Sequence, residues 1–206
     1  MRVKAVQGII GSNTFIVQTE STTILVDAGA RAEDIKSVLN GIIVDAVLLT
    51  HEHYDHVFYS ADYCDIFGCP IYCHQETKNE LITGELNSFL ARIPERIQTP
   101  AVISVIPEEI VIGDLQVRTI HCPGHSAGSV IYLINQVGDN KEINAFTGDV
   151  LFANTIGRTD LMDNGPELMQ QTLKNLLEVR FDIAYHGHSR NSTYQEQQAN
   201  IKRFIK

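Results

Sequence analysis

The run Thr50-His51-Glu52-His53-Tyr54-Asp55-His56 constrains this 206-residue chain more than any other feature. Three histidines and an aspartate follow directly on the short apolar run Ala46-Val47-Leu48-Leu49-Thr50. That segment has the length and composition of a buried strand, so it delivers a dense set of metal-ligating side chains to a strand end. On extended backbone, residues two apart point the same way, so His51 and His53 can reach one cation. Asp55 and His56 lie past the turn and face a second. Further ligands have to come from other passes of the chain. Three segments qualify: His125 in Cys122-Pro123-Gly124-His125-Ser126-Ala127-Gly128, Asp149 in Thr147-Gly148-Asp149, and His188 in Tyr185-His186-Gly187-His188-Ser189. Each follows an expected strand, and together they supply the number and type of ligands that two zinc-like ions take. Mixed His/Asp ligation also suits iron and manganese, so zinc is the first expectation and not the only one.

The flanking pattern places these segments on a layered α/β architecture. Phe15-Ile16-Val17, Ile24-Leu25-Val26, Val102–Ile106, Leu115–Ile120, Val130–Ile134, Ala145–Thr147 and Ile183-Ala184-Tyr185 read as strands. Ile35, Val38 and Leu39 recur at helical spacing before a stop at Asn40-Gly41. Pro166 with Glu167 opens a helix whose apolar positions are Leu168, Met169, Leu173, Leu176 and Leu177. Thr193 with Glu196 makes a capping box before a final helix turning Tyr194, Ile201, Phe204 and Ile205 inward. Residues 60–100 carry Pro70, Pro94 and Pro100 among mixed patches; their nearness in sequence to the histidine run makes them a candidate cleft lining. The whole, 1–206, reads as a single domain: two mixed sheets flanked by helices.

Composition removes other classes. Sixteen Lys+Arg against 25 Asp+Glu give a formal net charge of −9, which argues against a nucleic-acid partner. There is no G-x-G-x-x-G or P-loop. No apolar run approaches the roughly 20 residues of a membrane span, and the start Met1-Arg2-Val3-Lys4-Ala5 has no signal-peptide core. The expectation is a cytoplasmic protein acting on a small molecule, with Cys64, Cys69, Cys73 and Cys122 as reduced thiols. His74 and His121 have no motif around them and read as core or surface residues.

The combination of H-x-H-x-D-H, a histidine in PGHSxGS, the aspartate of TGD and the histidine of GHS resembles the metallo-β-lactamase superfamily over about residues 8 to 193. The resemblance implies an αββα sandwich with metals at one edge of the two sheets. It implies His51, His53 and His125 on one ion, Asp55, His56 and His188 on the other, and Asp149 bridging both. His186 falls outside that set and reads as a wall or supporting residue. Asp27 resembles a family position that orients a ligand histidine.

Leu151-Phe152 followed by Gly157-Arg158-Thr159-Asp160-Leu161 is similar to the glyoxalase II branch, the hydroxyacylglutathione hydrolases and their short bacterial relatives. That likeness implies a thioester or ester substrate attacked by a hydroxide shared between two ions, with Asp55 and Asp149 as catalytic carboxylates. It also makes Arg158 a candidate substrate contact, against a plainer role as a loop brace paired with Asp160. Full-length glyoxalase II enzymes carry a further C-terminal helical segment that holds glutathione, whereas this chain ends 18 residues after His188. Persulfide dioxygenases resemble the same pattern, and would use a single iron on His51, His125 and Asp149.

Overall fold

The computed structural model describes residues 1–83, 100–139 and 142–206. In chain order the elements are β1 (Arg2–Gln7), β2 (Asn13–Gln18), β3 (Thr23–Val26), α1 (Ala32–Leu39), β4 (Ala46–Leu48), α2 (Tyr54–Val57), α3 (Ser60–Phe67), β5 (Ile71–Cys73) and α4 (Gln75–Thr83). Then follow β6 (Ile103–Val105), β7 (Glu109–Ile112), β8 (Leu115–His121), β9 (Val130–Gln136), β10 (Asn144–Phe146), α5 (Gly165–Leu176), β11 (Ile183–Tyr185), β12 (Ser192–Thr193) and α6 (Tyr194–Phe204).

These strands form two six-stranded sheets, ordered β1-β2-β3-β4-β5-β6 and β12-β11-β10-β9-β8-β7. Both are mixed: β3 to β6 run parallel, as do β10 and β11, and the other pairings are antiparallel.

Period-2 alternation sorts the side chains into three apolar layers. Phe15, Val17, Ile24, Val26, Ala46 and Leu48 of the first sheet meet Val117, Val130, Tyr132, Ile134 and Phe146 of the second in the central layer. The alternate residues Ile16, Leu25 and Val47 face outward and are covered by Ile35 and Leu39 of α1 and by Tyr63 of α3. On the far side Ile131, Leu133 and Ala145 are covered by Met169, Leu173 and Leu176 of α5 and Ile201 of α6. A slip of one residue in any of these strands would exchange its layers, which fixes register and therefore the direction of every loop leaving a strand end. The result is the expected sandwich of two mixed sheets between helices.

Most boundaries fall where the sequence puts them. Asn40 ends α1 in the left-handed region (φ 48). In α6, Thr193 accepts from the Glu196 N–H while Glu196 accepts from the Thr193 N–H, the capping box read from the sequence. The expected strand through Ala46–Thr50 is shorter, ending at Leu48. Residues 60–83 form α3, β5 and α4, which the mixed pattern did not separate. The part of the expected cleft lining at 84–99 lies outside the described residues. All four cysteines are buried free thiols, and burial pushes Cys69, Cys73 and Cys122 up to about 12.

Candidate metal centre

The loops following β4, β8, β10 and β11 carry the expected ligands to one edge of the sandwich. The edge is stitched by main-chain bonds across sheets: Val130 N–H donates to Thr50 O at 2.9 Å, and Asn13 N–H to Gly187 O at 2.7 Å. Tyr132, buried between the sheets, donates its hydroxyl to Leu49 O at 2.7 Å. The loop bearing His51 is thus held from both layers.

Seven side chains converge there. The ligating atoms of His51, His53 and His125 lie within 4.8 Å of one another, as do those of Asp55, His56 and His188, and those of His51, His56 and Asp149. The first two groups are the pairs of faces expected from the sequence. Asp149 stands between them: its Oδ1 lies 3.3 Å from His56 Nε2, and its Oδ2 lies 3.6 Å from Nε2 of both His125 and His188. The arrangement leaves buried polar atoms without hydrogen-bond partners, namely Nε2 of His51, His56 and His125 and Oδ1 of Asp149. Four such atoms in one pocket are costly unless something else satisfies them, and nitrogen and carboxylate donors fit divalent cations.

Electrostatics points the same way. Burial, with help from the neighbouring histidines, holds His51 well below the usual imidazole range. Burial also lowers His53 to about 3 and lowers His125, so these three rings present lone pairs at neutral pH. Burial opposes a charge on His56 too, but the carboxylates of Asp149 and Asp27 outweigh it and raise His56 well above its ordinary value. Its hydrogen bond to Asp55 raises His188. A pocket that draws protons to His56 and His188 attracts any cation that can replace them.

Partners behind the ligands fix the rings. Asp27 is buried at the end of β3 with φ 64, a conformation aspartate tolerates better than most residues. Its Oδ2 lies 2.8 Å from His56 Nδ1 and also accepts from the Thr50 hydroxyl, while Oδ1 accepts from the Thr50 N–H. That bond leaves Nε2 of His56 as the free ligating atom. The Thr50 hydroxyl lies 3.0 Å from His51 Nδ1, and the Arg158 carbonyl lies 3.0 Å from His125 Nδ1. Ser12, buried before β2, donates to Asp55 O at 2.7 Å.

Arg158 enters through its main chain; its guanidinium forms a bidentate pair with Asp160 at 2.7 and 2.6 Å, the loop brace. His186 is fully buried, lies in none of the three ligand groups, and bonds Thr147 and Ser192 at 2.8 Å each. His74 and His121 stack on each other with centroids 4.1 Å apart and belong to none of these groups. The supports that escaped the sequence reading include the Thr50 hydroxyl, Ser12 and the Arg158 carbonyl.

Residues 8–188 match the family described as the metallo-beta-lactamase superfamily. A Bacillus subtilis protein named "Probable metallo-hydrolase YqgX" is 31% identical over 188 residues, covering 87% of each chain. An atrochrysone carboxyl ACP thioesterase of Passalora fulva is 26% identical over 184 residues, 86% of this chain and 48% of that one. Among solved structures, the B3 metallo-beta-lactamase BLEG-1 superposes with a TM-score of 0.85 at 27% identity, covering 100% of both chains.

Proposed function

The chain belongs to the metallo-β-lactamase superfamily, and from that premise we propose that it is a binuclear metal-dependent hydrolase acting on a thioester, a glyoxalase II-like enzyme. The observation that carries this reading is the convergence of seven ligating side chains with buried, unpartnered Nε2 and carboxylate atoms among them. His51, His53 and His125 would hold one ion and Asp55, His56 and His188 the other, with Asp149 shared. Zinc is the preferred ion. Two divalent ions supply Lewis acidity and a water acidic enough to be deprotonated near neutral pH.

The chain's own residues then do the positioning. Asp27 and the Arg158 carbonyl hold His56 and His125 with Nε2 toward the pocket. Asp149, between the two groups, and Asp55, beside His188, hold acceptor oxygens where an attacking water would be oriented. The departing thiolate is a good leaving group, so no dedicated acid is required.

The thioester reading is supported by the thioesterase among the relatives and by the likeness of the Gly157–Leu161 loop to the glyoxalase II branch. The single-iron persulfide alternative leaves Asp55, His56 and His188 without a purpose, although they form a complete ligand group. The test is metal content per chain, followed by turnover of S-lactoylglutathione against a β-lactam and against glutathione persulfide. Two ions and thioester cleavage are expected. One iron with oxygen uptake on the persulfide, or cleavage of the β-lactam alone, would overturn the proposal.

A further inference from the structure

We infer that Glu52 is a positioning residue that clamps the three-histidine half of the centre; this rests on the reading of His51, His53 and His125 as a ligand group. Glu52 sits between His51 and His53 in sequence, yet its carboxylate turns away from the pocket and is buried, 5% exposed. Both of its oxygens are used, and both reach segments distant in sequence. Oε1 accepts from the Gly128 N–H at 3.2 Å, and Oε2 from the Thr77 hydroxyl at 3.0 Å. Thr77 is itself fully buried on α4, and its hydroxyl lies 3.4 Å from Gly128 O, closing a triangle.

The triangle joins the His51–His53 loop to the loop that carries His125, three residues before Gly128. It is packed tightly enough that a Cβ on Gly128 would stand 2.2 Å from the Thr77 hydroxyl and 2.6 Å from Glu52 Oε2. The three rings it supports are only 4.5 to 5.1 Å apart between centroids. A shift of either loop therefore changes the separation of His125 from His51 and His53 directly. The Asp55–His56–His188 group is held by other contacts: Asp27 on His56 and Ser12 on the Asp55 carbonyl. Glu52 should act on one group and spare the other.

Glutamine can complete the same triangle, since its Oε1 can accept from Gly128 N–H and its amide can donate to Thr77, whose hydroxyl then turns to Gly128 O. Alanine cannot. The experiment is zinc affinity by competition with a chromophoric chelator, in two backgrounds that each leave one group intact. In a His188→Ala background, Glu52→Ala should weaken zinc binding about 10–100-fold, and Glu52→Gln should restore it. In a His53→Ala background, Glu52→Ala should leave the affinity unchanged. Thr77→Val, which removes one bond and keeps the volume, should weaken binding in the same direction and serves if Glu52→Ala does not fold. Equal losses in both backgrounds would mean a general structural role and overturn the inference, as would no loss in either. If the unsubstituted protein takes up no zinc, the metal-centre reading itself fails first.

Discussion

Asp27 and His56 meet through a buried 2.8 Å contact between Oδ2 and Nδ1, and this contact settles which nitrogen of His56 faces the cation pocket. The same carboxylate takes two further bonds from Thr50, so it cannot rotate to serve another donor. Asp27→Asn keeps the shape and tolerates the left-handed backbone at φ 64. Its amide can still accept from Thr50 N–H, but an NH₂ group then faces His56 Nδ1. His56 must shift its proton to Nε2, the atom that would ligate. Metal affinity should fall about 10–100-fold with the fold intact. The measurement is a chelator-competition titration beside a thermal melt of the metal-free protein; an unchanged affinity would show that something other than Asp27 sets the tautomer.

Gly187 lies between His186 and His188, and a Cβ there would stand 2.1 Å from Asp149 Oδ1 and 2.7 Å from His56 Cε1. No side chain fits without displacing the carboxylate placed between the two ligand groups. Gly187→Ala should lower stability by about 1–3 kcal/mol, the usual range for overpacking. Metal content and hydrolysis should fall much further than that loss explains. Denaturant unfolding with metal analysis on the same preparation checks both; full metal loading in the variant would mean that Asp149 has room to move.

The parts of this molecule legible in its sequence are those where period and chemistry repeat. The apolar runs of β2, β3, β4 and β9 stand out because each of these strands is buried on both faces between apolar layers. By contrast β5 is three residues long, too short to show a period, and β1 lies at an edge with four of its six residues exposed. In the site, the seven expected ligand positions come together because each lies in a segment that follows the end of a strand. The support from Arg158 was illegible for a physical reason: it is a main-chain carbonyl, which every residue possesses. Glu52 was visible as a residue type, but its partners Thr77 and Gly128 lie 25 and 76 residues away, and no local pattern points to them.

His186 gives a pH dependence whose sign follows from burial. Burial lowers it from 6.5 to about 4. Between those values the unfolded chain binds a proton that the folded one refuses, so stability declines as pH falls from 6.5 and levels off below about 4. The contribution is on the order of 3 kcal/mol at most. His51 and His53 act in the same direction, so the test is a difference: denaturant unfolding of the metal-free protein across this range, with and without His186→Gln. The variant should show the shallower decline. Identical slopes would mean that His186 already takes up a proton in the folded state.

Metal removal should be read most directly in thermal stability. The unpartnered Nε2 atoms of His51 and His125 are a standing cost in the metal-free protein, and a cation bound only by the folded state removes it. At a free concentration about a thousand times its dissociation constant, one such ion adds about 4 kcal/mol. For a chain of this size that corresponds to a rise in melting temperature on the order of 10 °C, reversed by a chelator. The increment should be reduced in His53→Ala and in His188→Ala, each of which spoils one group, and should vanish when both are replaced. A melting curve indifferent to zinc, iron and manganese alike would mean that the convergent histidines do not form a cation site.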